Sequence, residues 1–371
     1  MPELFPAWLI PLVFGMVGAC IGSFLNVVIY RVPLGISIND PARSFCPECD
    51  EPIPWYLNIP VFSWLFLRGK SACCQTPISF RYWLVELLTA LIFAAMAWKY
   101  ADASLAAAVL LCVWSALAIV IIFIDAEHLI VYRSQALAAA AAGVGACCFF
   151  PFLLPDKEIM TWTDAFQGAV LGGAAGYAII RLVIELGKLL FGSWKEHFDT
   201  PAAWSLKEPE SEQEELQQVI NGQLHYRSNL FHRTEDSAVL SRGSAVIDGE
   251  EQPPGDVTLY RDRIELENGD VFPLEDVESV EGTLTDIHAR REAMGSGDAW
   301  ILMMTGCVGG WQGAVFCLFI GSLLGIAQAV VSRMGFGKNL PFGPALLSAA
   351  FIWLLGGDRW WFLYIRFISG E

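Results

Sequence analysis

Eight stretches of this chain are predominantly apolar and long enough, or nearly so, to be candidates for crossing a lipid bilayer. They lie at about 6–28, 83–98, 105–124, 136–154, 166–190, 300–310, 314–331 and 345–355. A spanning helix needs about 20 mostly apolar residues, so 300–310 and 345–355 are short for the task. Backbone N–H and C=O groups find no water in hydrocarbon, so such runs must bond internally as helices. Composition agrees: 55% hydrophobic residues, 14 Trp and a mean hydropathy of +0.47. The expected fold is a membrane all-α polytopic bundle of about eight transmembrane helices. Gly168, Gly172 and Gly176 fall at four-residue spacing in the fifth run, which suits close helix–helix packing in lipid.

No basic region precedes the first run, and no cleavage site stands out after it, so it is expected to be retained as a span. Arg31, Arg43, Arg68, Lys70 and Arg81 follow the first run. Arg133 follows the third, and Arg333 and Lys338 follow the seventh. The loops on the opposite side hold Lys99 and Lys157. Cationic loops stay in the cytoplasm, so the richer side is expected to be cytoplasmic. Arg359 and Arg366 run against this pattern. The net charge of −16 argues against nucleic acid as a partner.

Five regions follow: a first transmembrane helix (1–30), a cytoplasmic Cys-containing segment (31–82), transmembrane helices (83–192), a cytoplasmic insert (193–291), and a loop with C-terminal transmembrane helices (292–371). The insert opens with acids at Glu208, Glu210, Glu212, Glu214 and Glu215. Through Gln218 it reads as a flexible or helical acidic stretch, with attraction for basic substrate segments as the weaker reading. Val257–Tyr260, Ile264–Leu266 and Val271–Leu274 alternate like strands around Asn268-Gly269, a hairpin signal. Val277 and Val280 suggest another strand, making the insert β-rich.

Two carboxylates sit where apolar runs end or begin. Asp125 closes the run 116–124, and Asp298 follows Gly295-Ser-Gly297 and opens the next. A charge at a bilayer edge is costly unless it faces protein or water, which marks both as functional candidates. An acid at a helix start is favoured by the helix dipole, which alone would account for Asp298. At a helix end it is opposed, and Asp125 stands there. Two carboxylates brought together can share one proton and serve as acid and base. Gly295 and Gly297 leave room for an extended substrate backbone beside Asp298.

Cys46-x-x-Cys49 and the later Cys73-Cys74 form a second constellation. Four thiolates on two turns can hold a tetrahedral zinc ion that stabilises a segment with little core. Adjacent cysteines rarely point the same way, so the site uses Cys73, recruits another ligand, or is degraded. The reading is structural in each case. Cys20, Cys112, Cys147, Cys148, Cys307 and Cys317 lie in or near apolar runs and read as core.

These features resemble the type IV prepilin peptidases, membrane aspartic proteases with a GxGD loop. The likeness rests on an ordered series: 22–33, Cys46-Pro-Glu-Cys49, Asn58-Ile-Pro60, Ser63-Trp64-Leu65, Arg68-Gly-Lys70, Ile78-Ser79, Arg81-Tyr82 through Glu86, Gly295-Ser-Gly297-Asp298, Pro341-Phe-Gly-Pro344 and Gly357-Asp358. The resemblance implies that Asp125 and Asp298 are the catalytic pair and Gly295 and Gly297 the active-site loop. It implies an aspartic endopeptidase that cuts the basic leader of prepilins or pseudopilins at the cytoplasmic face of the bacterial inner membrane. Family members often also N-methylate the new N-terminus, with S-adenosylmethionine as cofactor. No G-x-G-x-x-G follows a predicted strand here, and no residue is assigned to that step.

The sequence departs from the family's pattern at three places. Ser71 stands where a third cysteine is usual. Tyr132-Arg133 replaces a Pro-Asp pair after the first aspartate, and Trp300 replaces a lysine after the second. Glu127 and His128 read as supporting groups. Two other functions compete with peptidase activity: an inactive scaffold of the same fold, and an ion-coupled transporter, which would place its acids in mid-membrane rather than at one face.

Overall fold

The computed structural model describes residues 6–39, 46, 48–49, 51–155, 161–191, 193–207, 217–220, 223–226, 237–260, 262–277, 279–290, 295–332 and 341–369. Arg43, Lys157, Glu208, Glu210, Glu212, Glu214, Glu215, Arg333 and Lys338 lie outside the described residues, as do 292–294 of the loop before Asp298. The chain divides into two compact units, Met1–Ile179 with Gly297–Glu371, and Ile180–Ser296.

The first unit is helical. Its helices are α1 (Leu9–Arg31), the short α2 (Phe62–Phe66), α3 (Phe80–Tyr100), α4 (Leu105–His128), α5 (Arg133–Phe149), α6 (Trp162–Phe191, which runs on into the second unit), α7 (Ser296–Val331), α8 (Gly343–Ile352) and α9 (Asp358–Ser369). Five of them, α1, α3, α4, α6 and α7, are long and apolar enough to cross a bilayer. The expected fourth span, α5, has 17 residues, and α8 has only 10. The runs 300–310 and 314–331 belong to one helical stretch, α7, broken where Gly310 takes φ 67° and ψ −176°. That conformation suits glycine, which carries no Cβ.

α4 lies at the centre. It packs against α1, α3, α5 and α8, and Leu111, Trp114, Ile119, Ile121 and Ile124 are fully buried. Ser104 caps its start by accepting a hydrogen bond from the Ala107 N–H. Its end is closed by Leu129 in a left-handed conformation, whose N–H bonds back to the Asp125 carbonyl at 3.0 Å. α6 meets α7 backbone to backbone. A Cβ built on Gly172 or Gly176 would collide with the carbonyl of Gly306 or Leu302. Small residues thus let two helices approach closely, which in lipid favours packing through dispersion. Of the cysteines expected in the core, Cys112, Cys147, Cys307 and Cys317 are buried, Cys148 is half-buried and Cys20 is exposed.

The second unit carries an antiparallel sheet with nine strands among the described residues: β1 (Ser193–Lys207), β2 (Gln217–Ile220), β3 (Gln223–Tyr226), β4 (Ser237–Ile247), β5 (Glu250–Glu251), β6 (Gly255–Leu259), β7 (Arg263–Leu266), β8 (Val271–Pro273) and β9 (Val280–Arg290). Their order is β3-β2-β1-β9-β4-β6-β7-β8, with β5 beside β4. The Asn268-Gly269 hairpin is present: β7 pairs with β8, and Gly269 takes φ 92°.

One expectation is overturned. Residues 193–207 are neither flexible nor helical but form β1, which pairs along β9 from Ser193↔Arg290 to Leu206↔Val280. Local composition favoured a linker, whereas pairing and burial of Ala202 and Trp204 favour a strand. Trp204, Leu240, Leu259, Ile264, Leu284 and Ile287 give this unit a core of its own.

Candidate active site and cysteine cluster

Asp125 lies in the last turn of α4 and Asp298 in the first turn of α7. The two residues are 6% and 7% exposed. A buried carboxylate needs partners, and one partner of Asp125 is the Gly343 N–H, 3.0 Å from Oδ2 at the start of α8. Helix N-termini carry a partial positive charge that favours an anion. The acid that opposes the dipole of α4 is therefore met by the favourable end of another helix. A side chain at 343 would force its neighbours to shift: a Cβ would collide with Asp125 Oδ2 and stand 2.7 Å from Ile301 Cδ1. This gives the Pro341-Phe-Gly-Pro344 motif a physical role that sequence alone left open.

Three contacts tie the segments around the two aspartates to their surroundings. A Cβ on Gly297 would lie 2.9 Å from Val131 Cγ2, so α7 starts hard against the loop that follows α4. Ile301 and Asp125 converge on Gly343. The Arg133 guanidinium stacks over the Trp300 ring at 4.7 Å, with Tyr177 on the same indole at 5.0 Å. Gly295 precedes α7 in irregular backbone.

The N-terminal motifs brace this end of the bundle. Arg81, at the start of α3, pairs with Glu127, two residues beyond Asp125. Asn26 on α1 donates to the Tyr82 carbonyl at 3.0 Å, and Glu86 accepts the Val61 N–H at 2.6 Å. The Arg81–Glu127 pair was not foreseen from sequence, where the two appeared only as a cationic-loop residue and a supporting acid.

The four sulfurs of Cys46, Cys49, Cys73 and Cys74 lie within 4.8 Å of one another. Cys46 and Cys74 are 3.6 Å apart, and Cys49 and Cys73 are 3.3 Å apart. A tetrahedral zinc with Zn–S bonds of about 2.3 Å sets its sulfurs about 3.8 Å apart, so the donor set fits. Both adjacent cysteines reach the cluster because the chain folds tightly there. The Ser71 N–H bonds to the Thr76 carbonyl at 2.8 Å, and Gln75 takes φ 60°. Ser71 stands beside the cluster with Oγ 3.1 Å from Cys74 Sγ. Hydrogen bonds from Ser71 and Thr76 pull the Cys74 thiol down to about 6. Cys46 is lowered too, first by the Glu48 backbone group. For Cys49 the Glu51 backbone group pulls downward, but Cys73 and desolvation prevail and push the thiol up to about 12.

Comparison with known proteins gives this geometry a context. Residues 16–100 match the family model described as Bacterial Peptidase A24 N-terminal domain. A prepilin leader peptidase/N-methyltransferase of Dickeya chrysanthemi is 32% identical over 209 residues, covering 50% of this chain and 68% of that protein. The chain belongs to the prepilin leader peptidase/N-methyltransferase family. A Myxococcus xanthus member is 41% identical over 180 residues, 47% of this chain and 48% of its own length. The match to that relative thus spans about half of it. The Stutzerimonas stutzeri member aligns over 95% of this chain and 92% of its own length at 25% identity. No solved structure matches the chain.

Proposed function

We propose that the chain is a membrane aspartic endopeptidase that removes the basic leader of type IV prepilins or pseudopilins. The observation that carries the reading is the buried Asp125 carboxylate, held by the Gly343 N–H at the end of α4 where Asp298 opens α7. In this reading Asp125 and Asp298 share one proton. One takes a proton from a water that attacks the scissile carbonyl, and the other delivers a proton to the carbonyl oxygen. Gly295 and Gly297 keep the approach to Asp298 open to an extended peptide. The relatives' names also carry N-methyltransferase activity, for which S-adenosylmethionine is the methyl donor. We propose that second activity without assigning residues to it.

The bundle is proposed to cross the bacterial inner membrane about eight times. α5, the two arms of α7 on either side of Gly310, and α8 with its π-helical continuation Trp353–Gly357 would complete the spans. Arg31, Arg68, Lys70, Arg81 and Arg133 support a cytoplasmic placement of the aspartate end, with Lys99 at the other. Cys46, Cys49, Cys73 and Cys74 are proposed to hold one zinc ion in a closed four-sulfur site. It would staple the 31–82 segment and take no part in hydrolysis.

Purified protein in detergent or nanodiscs, incubated with a prepilin-like peptide carrying a basic leader, tests the reading. Asp125→Asn and Asp298→Asn are each expected to abolish cleavage while leaving insertion and helical content intact. Near-normal cleavage by either variant overturns the assignment. No cleavage by the parent protein points instead to an inactive scaffold.

A further inference from the structure

The segment between α1 and α3 carries large apolar side chains in the open. Trp55 and Phe66 are each 82% exposed, Phe62 is 58% exposed, and Leu65 is exposed as well. Aromatic surface on this scale seldom faces water without a partner. The structure fixes its level along α3. Val61, just before α2, donates its N–H to Glu86 Oε2 at 2.6 Å. Glu86 is six residues into α3, so at about 1.5 Å per residue the contact lies about 9 Å along the helix from Phe80. α1 gives the same level from the other side, because Gly22, nine residues before Arg31, packs on the Glu86 Cα.

This placement is built in. Val61 takes φ 66° and ψ −49°, a conformation that costs a β-branched residue energy and persists only when its surroundings impose it. It closes a three-residue turn in which the Phe62 N–H bonds to the Pro60 carbonyl at 2.7 Å. That turn aims the Val61 N–H at Glu86. Trp64 locks the other side: its Nε1–H donates to the Ile78 carbonyl at 3.2 Å, and its ring meets Phe80 and Trp83. Phe80 is itself 53% exposed, which joins the aromatic surface to the outer face of α3. Arg68 and Lys70, both exposed, follow directly after α2.

We propose that residues 55–70 form a lipid-interface anchor. Trp55, Phe62, Leu65 and Phe66 enter the boundary between headgroups and acyl chains, and Arg68 and Lys70 meet headgroup phosphates. A helix or turn lying in this boundary buries its apolar face about 5–10 Å deep, and the tether to Glu86 keeps this segment alongside α3. Aromatic rings are favoured there, and basic side chains add attraction for anionic lipid. The cysteine cluster, on the same segment, is thereby held against the membrane surface. This inference rests on α1 and α3 being spans and is independent of peptidase activity.

The test installs an environment-sensitive fluorescent amino acid at position 66 of the full-length protein by stop-codon suppression. The protein is placed in nanodiscs containing phosphatidylglycerol. Lipids brominated near the top of the acyl chain are expected to quench it several-fold, while aqueous iodide leaves it bright. Glu86→Gln, which weakens the tether, is expected to raise iodide quenching and lower bromolipid quenching, with zinc content and helical content serving as checks on folding. Iodide quenching without bromolipid quenching in the parent overturns the proposal. So does protection from both quenchers, or a signal that moves away from bromolipid when a prepilin-like peptide is added, since the surface would then belong to protein substrate. None of these readouts depends on cleavage.

Discussion

The Arg133 guanidinium lies 4.7 Å over the Trp300 ring. These are two of the positions at which the sequence departs from the pattern that its resemblance implies. In this chain the two departures touch each other: the start of α5 meets the first turns of α7 through a cation–π pair. Such contacts contribute about 0.5–1 kcal/mol when exposed and about 2 or more when desolvated.

This contact predicts a rescue. Trp300→Lys alone sets two cations against each other beside the helix ends that carry Asp125 and Asp298, and is expected to lower kcat/KM by about tenfold. Adding Arg133→Asp should recover most of that loss. In a double-mutant cycle on leader cleavage, coupling above about 1 kcal/mol supports the contact, whereas additive effects would remove it from the site.

Gly343 makes a second prediction. Gly343→Ala drives a Cβ into Asp125 Oδ2 and against Ile301 Cδ1. Displacing a reacting group by about 1 Å costs on the order of 10²-fold in rate. The expected outcome is a fall of that size in kcat with KM for the peptide nearly unchanged. A fall in KM-dependent binding alone, with kcat preserved, would mean that the carboxylate is not positioned by this backbone.

Much of the helical frame was legible, because an apolar run of 20 residues has few alternatives. The strands β1 and β4 were not. β4 buries Ala238 and Leu240, then Ala245 and Ile247, with a register shift between Leu240 and Gly243 that switches the alternation from even to odd positions. A period-two reading cannot survive that shift. The two aspartates were legible from their places at run ends, since Asp125 defies the dipole of its own helix. The compensating donor was not, because Gly343 is 218 residues away in sequence. Cys73 was ambiguous for a local reason: whether two neighbouring thiols converge depends on the tight backbone fold between Ser71 and Thr76, which residue spacing does not encode.

The cysteine cluster predicts which hydroxyl and which thiols matter. The protein is expected to hold one zinc per chain when prepared without chelator. Cys73→Ser should release it, as should Cys46→Ser with Cys49→Ser. Ser71→Ala should keep it, because Ser71 is placed to hydrogen-bond Cys74 and not to complete the four-sulfur set. Zinc retained after Cys73→Ser, measured by metal analysis, would assign the fourth position to another group.

The sheet of the second unit is expected to be dispensable for bond breaking. It has its own apolar core around Trp204, Leu240, Leu284 and Ile287. Both aspartates, with Gly297 and Gly343, lie in the other unit. Its two long strands also bring their outer ends together, with Ser193 opposite Arg290 across the β1–β9 pairing. A short linker can therefore replace the strands without stretching the connection from α6 to α7, and loop-closure entropy changes little with length. Replacing 195–287 by a Gly/Ser linker should leave kcat within about threefold of the parent at saturating peptide. If the acidic residues of the insert collect basic leaders, the deletion raises KM, and the difference shrinks as salt screens the attraction. A correctly inserted deletion variant that fails to cleave at any substrate concentration would make the sheet part of the catalytic machinery.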